Sequence, residues 1–101
     1  MFNISKKKEG SRLTVRIGGD LDRTTAPELE ADIMKCFEGI TELVIDLEEL
    51  DYISSAGLRT FVKFRKMMNK QGSMQMLNIK SSVREILDLS GLADFLIGAD
   101  N

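Results

Sequence analysis

The sequence has no histidine, no tryptophan, one cysteine and one proline among its 101 residues. Without histidine, the chain lacks the most common general base and the most common nitrogen ligand of zinc. A Ser-His-Asp triad or a Cys-His pair is therefore impossible within one chain. The single cysteine, Cys36, cannot form an internal disulfide, which favours a reducing, cytoplasmic setting.

The chain also has a low net charge and no long apolar run. Charged residues make up 30% of the chain but nearly cancel to a net charge of −2, which argues against a general nucleic-acid binder. No apolar run approaches the ~20 residues of a membrane-spanning helix. The N-terminus lacks the charged-then-apolar order of a signal peptide. We therefore expect no direct nucleic-acid contact and no membrane insertion.

The hydrophobic pattern predicts one α/β domain over residues 1–101. Apolar and polar residues alternate from Arg12 to Ile17, which predicts a half-buried strand ending at Gly18-Gly19. Leu43 to Leu47 is apolar with little alternation, which predicts a strand covered on both faces. Alternating strands and helices indicate a mixed, mostly parallel sheet with packed helices. The predicted order is β-β-α-β-α-β-α-β, with strands at residues 2–5, 12–17, 43–47, 74–77 and 95–97.

Helix boundaries are marked by caps and glycines. Thr25 to Glu28 and Ser82 to Glu85 read as capping boxes, which predict the starts of the first and third helices. The second helix is predicted from about Ser55 to Asn69. Gly91, followed by Leu92, predicts a Schellman-type end to the third helix.

Two hydroxyls and a glycine, Ser54, Ser55 and Gly57, fall where the second helix begins. A helix start exposes backbone N–H groups and the positive end of the helix dipole, so a phosphate attached there is stabilised. Serine is also among the best N-caps, and capping is its more common use at such a position. The residues alone do not distinguish a phosphorylated serine from a capping serine. A catalytic serine is a distant third, because Lys63 is poorly placed to act as its base.

Gly57 and a pair of aspartates allow further alternatives. Gly57 either packs closely against the sheet or leaves Ser55 accessible to a partner. Asp20 and Asp22 either serve ordinary turn chemistry or line the sheet edge where ligands and partners of parallel α/β domains collect. Two carboxylates are too few to indicate a dedicated metal site, and no cofactor is expected.

The second helix is basic, and the chain is rich in methionine. The default interpretation of the basic residues is a solvated helix face. Cys36 and the six methionines are expected to fill the core or a groove. The basic residues of this helix are Arg59, Lys63, Arg65, Lys66 and Lys70.

Two segments resemble the STAS-domain family, most closely its stand-alone bacterial anti-sigma factor antagonists. Residues 19–26 are similar to the family's Gly-Glu-Leu-Asp sequence before its first helix, and residues 47–58 resemble its phosphorylation segment. Residues 88–92 are a weaker third match, and the likeness covers nearly the whole chain. In the family the phosphorylated residue stands two before the glycine, which implies Ser55 here. The preceding residue, commonly aspartate in the family, is Ser54, which stays a rival acceptor.

The resemblance implies a partner-switching regulator of transcription rather than an enzyme. Unphosphorylated, it would bind an anti-sigma factor that is also a serine kinase. Phosphorylation of Ser55 would release it, and a serine phosphatase would reset it. The alternative is a non-phosphorylated STAS subunit of a transporter or signalling scaffold. The partner-binding residues implied by the resemblance are Asp20, Asp22, Ser54, Ala56, Gly57, Leu58 and Arg59.

Overall fold

The computed structural model describes residues 2–97 and contains one four-stranded sheet in the order β1-β2-β3-β4. β1 pairs antiparallel with β2, whereas β2 with β3 and β3 with β4 are parallel. The predicted α/β class, with a mixed, mostly parallel sheet and one opening hairpin, is confirmed. The elements are β1 (Asn3–Glu9), β2 (Arg12–Leu21), α1 (Ala26–Met34), β3 (Glu42–Ile53), α2 (Ser55–Gln71), β4 (Ser73–Leu77), α3 (Ser81–Leu89) and α4 (Ala93–Ile97).

The core lies between the helices and one face of the sheet. Side chains alternate along a strand, so every second residue of β2 and early β3 enters this core, among them Leu13, Ile17, Leu43 and Ile45. Val44 is buried but stands outside the core cluster, on the face that carries the Arg16–Asp46 ion pair at 3.2 Å. Both faces of residues 43–47 are thus largely covered, as predicted, but the packed apolar core lies on one face only. A single apolar residue on the polar face made the run look continuous.

The central strands extend further than predicted. β2 continues through Gly18 and Gly19 to Leu21, and β3 continues to Ile53. The register of the β2–β3 pairing shifts twice, at Arg16/Gly18 and at Gly19/Asp20. The two strands nevertheless stay paired beyond both irregularities. Gly19 has a φ of 90°, which favours glycine. Asp20 consequently belongs to the strand and not to a loop. β1 also extends beyond its predicted end at residue 5 and reaches Glu9, so only a turn at residues 10–11 separates it from β2.

The end of the described chain is helical. Residues 95–97, predicted as a strand, belong to α4, where Ala93 and Leu96 are buried at helical spacing. Three consecutive apolar residues show no period, so the sequence pattern could not separate a short strand from a short helix. The Schellman prediction is confirmed: the Leu92 N–H donates to the Leu87 carbonyl at 3.1 Å, and Gly91 has a φ of 77°.

The helices begin close to the predicted residues but without the predicted capping boxes. Thr25 takes the N-cap position of α1 without a side-chain cap bond, and α3 begins at Ser81 with Lys80 at its N-cap. α2 ends at Gln71, immediately before Gly72. None of the helices within residues 2–97 is long and apolar enough to cross a bilayer.

Candidate functional site

α2 begins directly at the edge of the sheet where β2 and β3 end. Leu21 and Ile53 are the last paired residues of these strands. The Ser54 N–H then donates to the Leu21 carbonyl at 2.9 Å, and the Ser54 carbonyl accepts from the Leu58 N–H at 3.0 Å. One residue therefore joins the sheet hydrogen bonds to the helix hydrogen bonds. This short connection fixes the first turn of α2 against the sheet.

Gly57 lets the first turn of α2 approach the sheet closely. A Cβ atom at this position would lie 2.8 Å from Ile53 Cγ1 and 2.9 Å from Leu21 Cδ2. Both distances are shorter than carbon atoms tolerate, and Gly57 itself is buried. The close-packing interpretation of this glycine is confirmed, and Gly57 itself is not exposed.

The two serines at this helix start have different environments. Ser54 holds the N-cap position with φ −97° and ψ 178°, yet its side chain makes no cap hydrogen bond. Its Oγ is enclosed and has no hydrogen-bond partner within residues 2–97. Ser55, the first residue of α2, is exposed. The accessible hydroxyl at the start of α2 therefore belongs to Ser55.

Two arginines, Arg23 and Arg59, lie near the start of α2, and the first turn of this helix has no acidic residue. A cleft of about 360 Å³ between α1 and α2 is lined by Arg23, Ala56 and Arg59, among others. Arg59 is exposed and stands four residues after Ser55, on the same side of the helix. Lys63 lines the same cleft but pairs with Glu30, so it is committed to an ion pair between the two helices.

Asp22 organises the start of α1. Its Oδ1 accepts hydrogen bonds from the Thr24 N–H at 3.0 Å, the Thr24 hydroxyl at 2.8 Å and the Thr25 N–H at 3.1 Å. The hydrogen bonds from Thr24 and then Thr25 lower the pKa of Asp22 below its ordinary value. The Asp22 carbonyl also accepts from the Ala26 N–H at 2.8 Å. The turn-chemistry interpretation of Asp22 is confirmed.

Asp20 lies on the surface at the same sheet edge. It is exposed, and it is paired across the strands with Tyr52, a residue that is 48% exposed. Neighbouring strands are about 4.8 Å apart, so the two residues are adjacent. Sequence reasoning missed Tyr52. An aromatic residue in the polar last part of an otherwise apolar strand was the signal that could have revealed it.

Some of the predicted partner-binding residues are therefore exposed, and others are buried or hold the local structure. Asp20, Ser55 and Arg59 are exposed, whereas Gly57 and Leu58 are buried and Asp22 is held by internal hydrogen bonds. Within residues 2–97, no three His, Cys, Asp or Glu side chains are grouped as a metal site.

Known proteins share the fold of this chain and resemble its sequence. The sequence profile of the STAS domain matches residues 3–100. The anti-sigma-B factor antagonist of Bacillus subtilis (strain 168) is 32% identical over 96 residues, covering 94% of this chain and 88% of the relative. The unphosphorylated anti-sigma factor antagonist SpoIIAA superposes with a TM-score of 0.79 at 21% identity, covering 100% of this chain and 90% of its own. Phosphorylated SpoIIAA, a Bacillus cell fate determinant, gives a TM-score of 0.72 at 19% identity, covering 100% and 93%.

Proposed function

This chain belongs to the STAS domain family, and we propose that it is an anti-sigma factor antagonist that switches partners when Ser55 is phosphorylated. The observation that carries the proposal is the exposed Ser55 hydroxyl at a helix start that no side chain caps. The protein acts as ligand and substrate, not as an enzyme. Its partner is an anti-sigma factor, and its place is the bacterial cytoplasm, where sigma factors act.

The anti-sigma factor in this proposal is also a serine kinase. It binds the unphosphorylated chain, which frees the sigma factor. The kinase then transfers the γ-phosphoryl group of ATP to the Ser55 Oγ: the bond from the γ-phosphorus to the bridging oxygen breaks, ADP leaves, and the hydroxyl proton passes to a base of the kinase. A serine phosphatase hydrolyses the phosphoester and restores the hydroxyl.

Accessibility supports Ser55 over Ser54 as the acceptor. A kinase must place the hydroxyl in line with the phosphate, which requires the oxygen to be reachable. The Ser54 Oγ is enclosed, whereas Ser55 is exposed. Phosphorylation of Ser54 would require the first turn of α2 to open, and that turn is held by the hydrogen bond to Leu21 and by the packing of Gly57.

The start of α2 suits a covalently attached phosphate. Phosphoserine carries about −1.5 to −2 charges at neutral pH. The first N–H groups of a helix and its dipole stabilise such a group, and Arg59 stands one turn further on. The modified domain therefore stays folded.

Release follows from local repulsion. A partner carboxylate about 7 Å from the phosphate would be repelled by roughly 0.6 to 2.4 kcal/mol per unit-charge pair, for effective dielectric constants of ~80 to ~20. A tenfold loss of affinity corresponds to about 1.4 kcal/mol. One or two such contacts are enough, so the switch needs no change of fold.

The test is incubation with a candidate anti-sigma factor kinase and magnesium-ATP, followed by intact mass and site mapping. We expect one phosphate, on Ser55. Ser55→Ala should abolish incorporation, while the matched Ser54→Ala variant should still accept phosphate. Phosphate on another residue would overturn the acceptor assignment. A chain that binds the kinase but stays unphosphorylated would favour the transporter or scaffold alternative.

A further inference from the structure

A groove of about 660 Å³ runs along α2 and is closed on its other side by the turn between α3 and α4. Leu58, Val62 and Met67 of α2, with Leu92 from the turn, give it an apolar lining. Leu58 is only 8% exposed and the other three are half-buried, so these residues form the floor. The groove starts at Ser55 and extends well past the first turn of the helix.

The same groove has a positive rim. Arg59, Lys63 and Lys66 line it and are exposed, and their spacing places them in one stripe along α2. α2 contains no aspartate or glutamate, although the chain as a whole has a net charge of −2. Lys63 is paired with Glu30, while Arg59 and Lys66 take part in none of the ion pairs found within residues 2–97. Two rim cations are therefore available for a ligand.

We propose that this groove binds an acidic amphipathic helix of a partner protein. A helix lying in a groove uses apolar anchors at i, i+3 or i+4, and i+7, which suits the apolar floor. Its acidic flanks would meet Arg59 and Lys66. From Ser55 to Met67 the groove follows α2 for about 18 Å, at 1.5 Å per residue, which accommodates about three turns of a partner helix.

The shape and chemistry of the groove fit a helix better than other anionic ligands. A membrane surface is bound by apolar side chains that protrude, whereas Leu58 and its neighbours lie at the bottom of a concavity. Single-stranded nucleic acid is bound by basic grooves with aromatic stacking platforms, and no aromatic residue lines this groove. A small molecule is normally enclosed over most of its surface, whereas this groove is open along its length.

The proposal is tested on the full, unphosphorylated chain, so its outcome is independent of the kinase. The probe is a fluorescein-labelled helical peptide of about 14 residues with leucine at the anchor positions and glutamate on the flanks. A second peptide carries lysine in place of glutamate. By fluorescence anisotropy we expect the acidic peptide to bind at least about tenfold more tightly than its basic counterpart.

Matched variants locate the binding surface. Lys66→Glu reverses a rim charge, whereas Lys70→Glu makes the same change on α2 outside the groove lining. Lys66→Glu should weaken the affinity for the acidic peptide by about fivefold or more, whereas Lys70→Glu should weaken it by less than about twofold. Val62→Asp should abolish binding, with Leu77→Asp, an exposed apolar site on β4, as its control. Circular dichroism checks that each variant is folded.

Three results would overturn the proposal. The first is no binding of the acidic peptide at millimolar concentration, and the second is equal affinity for both peptides. The third is an equal effect of Lys66→Glu and Lys70→Glu. Phosphatidylglycerol vesicles and a single-stranded oligonucleotide are run in parallel. Binding to either that is lost in Lys66→Glu, without binding of the acidic peptide, would assign the groove to that ligand class instead.

Discussion

The starts of α1 and α2 follow the ends of two neighbouring parallel strands, and neither has a side-chain cap, yet the residues just before each helix are held differently. At α1, the Asp22 carboxylate accepts hydrogen bonds from the N–H groups of Thr24 and Thr25. At α2, the N-cap residue Ser54 has an enclosed hydroxyl without a partner within residues 2–97, and Ser55 is exposed. The turn that leads into α1 is held by a carboxylate side chain, whereas the start of α2 is held by the backbone and by packing.

The two helix starts therefore differ in what holds them in place and in whether they can receive an added anion. The start of α1 has the Asp22 carboxylate beside it and, in its first turn, Pro27, which has no N–H, so α1 is a poor place for a phosphate. The α2 start can receive one, because its position depends on the Ser54 N–H to Leu21 hydrogen bond and on the contact of Gly57 with Ile53, not on a capping side chain. Modification of Ser55 therefore leaves the supports of the helix intact.

The largest expected effect comes from the packing at α2. Gly57→Ala would place a methyl group within 2.9 Å of Leu21 and Ile53, and such overpacking costs about 1–3 kcal/mol of unfolding free energy. For a domain of this size each kcal/mol lowers Tm by about 4–8 °C. Calorimetry should show this loss, while Ser55→Ala in the same turn stays within about 0.5 kcal/mol of the parent. A Gly57→Ala protein as stable as the parent would mean that α2 is not held by this contact.

The next effect concerns the α1 start. Asp22→Ala removes the acceptor of the Thr24 and Thr25 N–H groups, so it should lower Tm clearly more than Asp20→Ala at the neighbouring exposed carboxylate. Because folding lowers the pKa of Asp22, its contribution is present above the ordinary pKa of ~3.9 and is lost as the pH falls through the folded-state value. When the pH is lowered from neutral to about 3, the Tm of Asp22→Asn in thermal melts should therefore fall less than the Tm of the parent. Equal acid dependence of the two proteins would contradict the role given to Asp22.

The smallest expected effect is at Ser54. Replacing a capping serine by alanine normally costs about 1 kcal/mol. Here the hydroxyl caps nothing, and removing an unpaired enclosed polar group is neutral or slightly favourable. Urea unfolding of Ser54→Ala should match the parent within about 0.5 kcal/mol. A loss of 1 kcal/mol or more would show that Ser54 caps α2 in solution, and the contrast between the two helix starts would disappear.

Sequence patterns predicted the class of fold but not the details that separate the two helix starts. The parallel sheet followed from apolar strands alternating with helical segments, and the Schellman turn followed from Gly91 and Leu92. The extension of β2 through Gly18 and Gly19 was hidden, because glycine pairs usually end strands and a register shift leaves no local signature. Serine at positions 54 and 55 was visible, but burial, which distinguishes the two, depends on tertiary packing that neighbouring residues in the sequence do not reveal.

The most direct test of the switch is isothermal titration calorimetry of the cognate kinase with three forms of the chain: unphosphorylated, phosphorylated on Ser55, and Ser55→Ala. The account predicts equal affinity for the unphosphorylated chain and Ser55→Ala, and an affinity weaker by about tenfold or more for the phosphorylated form. Circular dichroism should show the same fold in all three. Equal affinity of the kinase for the phosphorylated and unphosphorylated chains would contradict the claim that charge at the start of α2 is the switch.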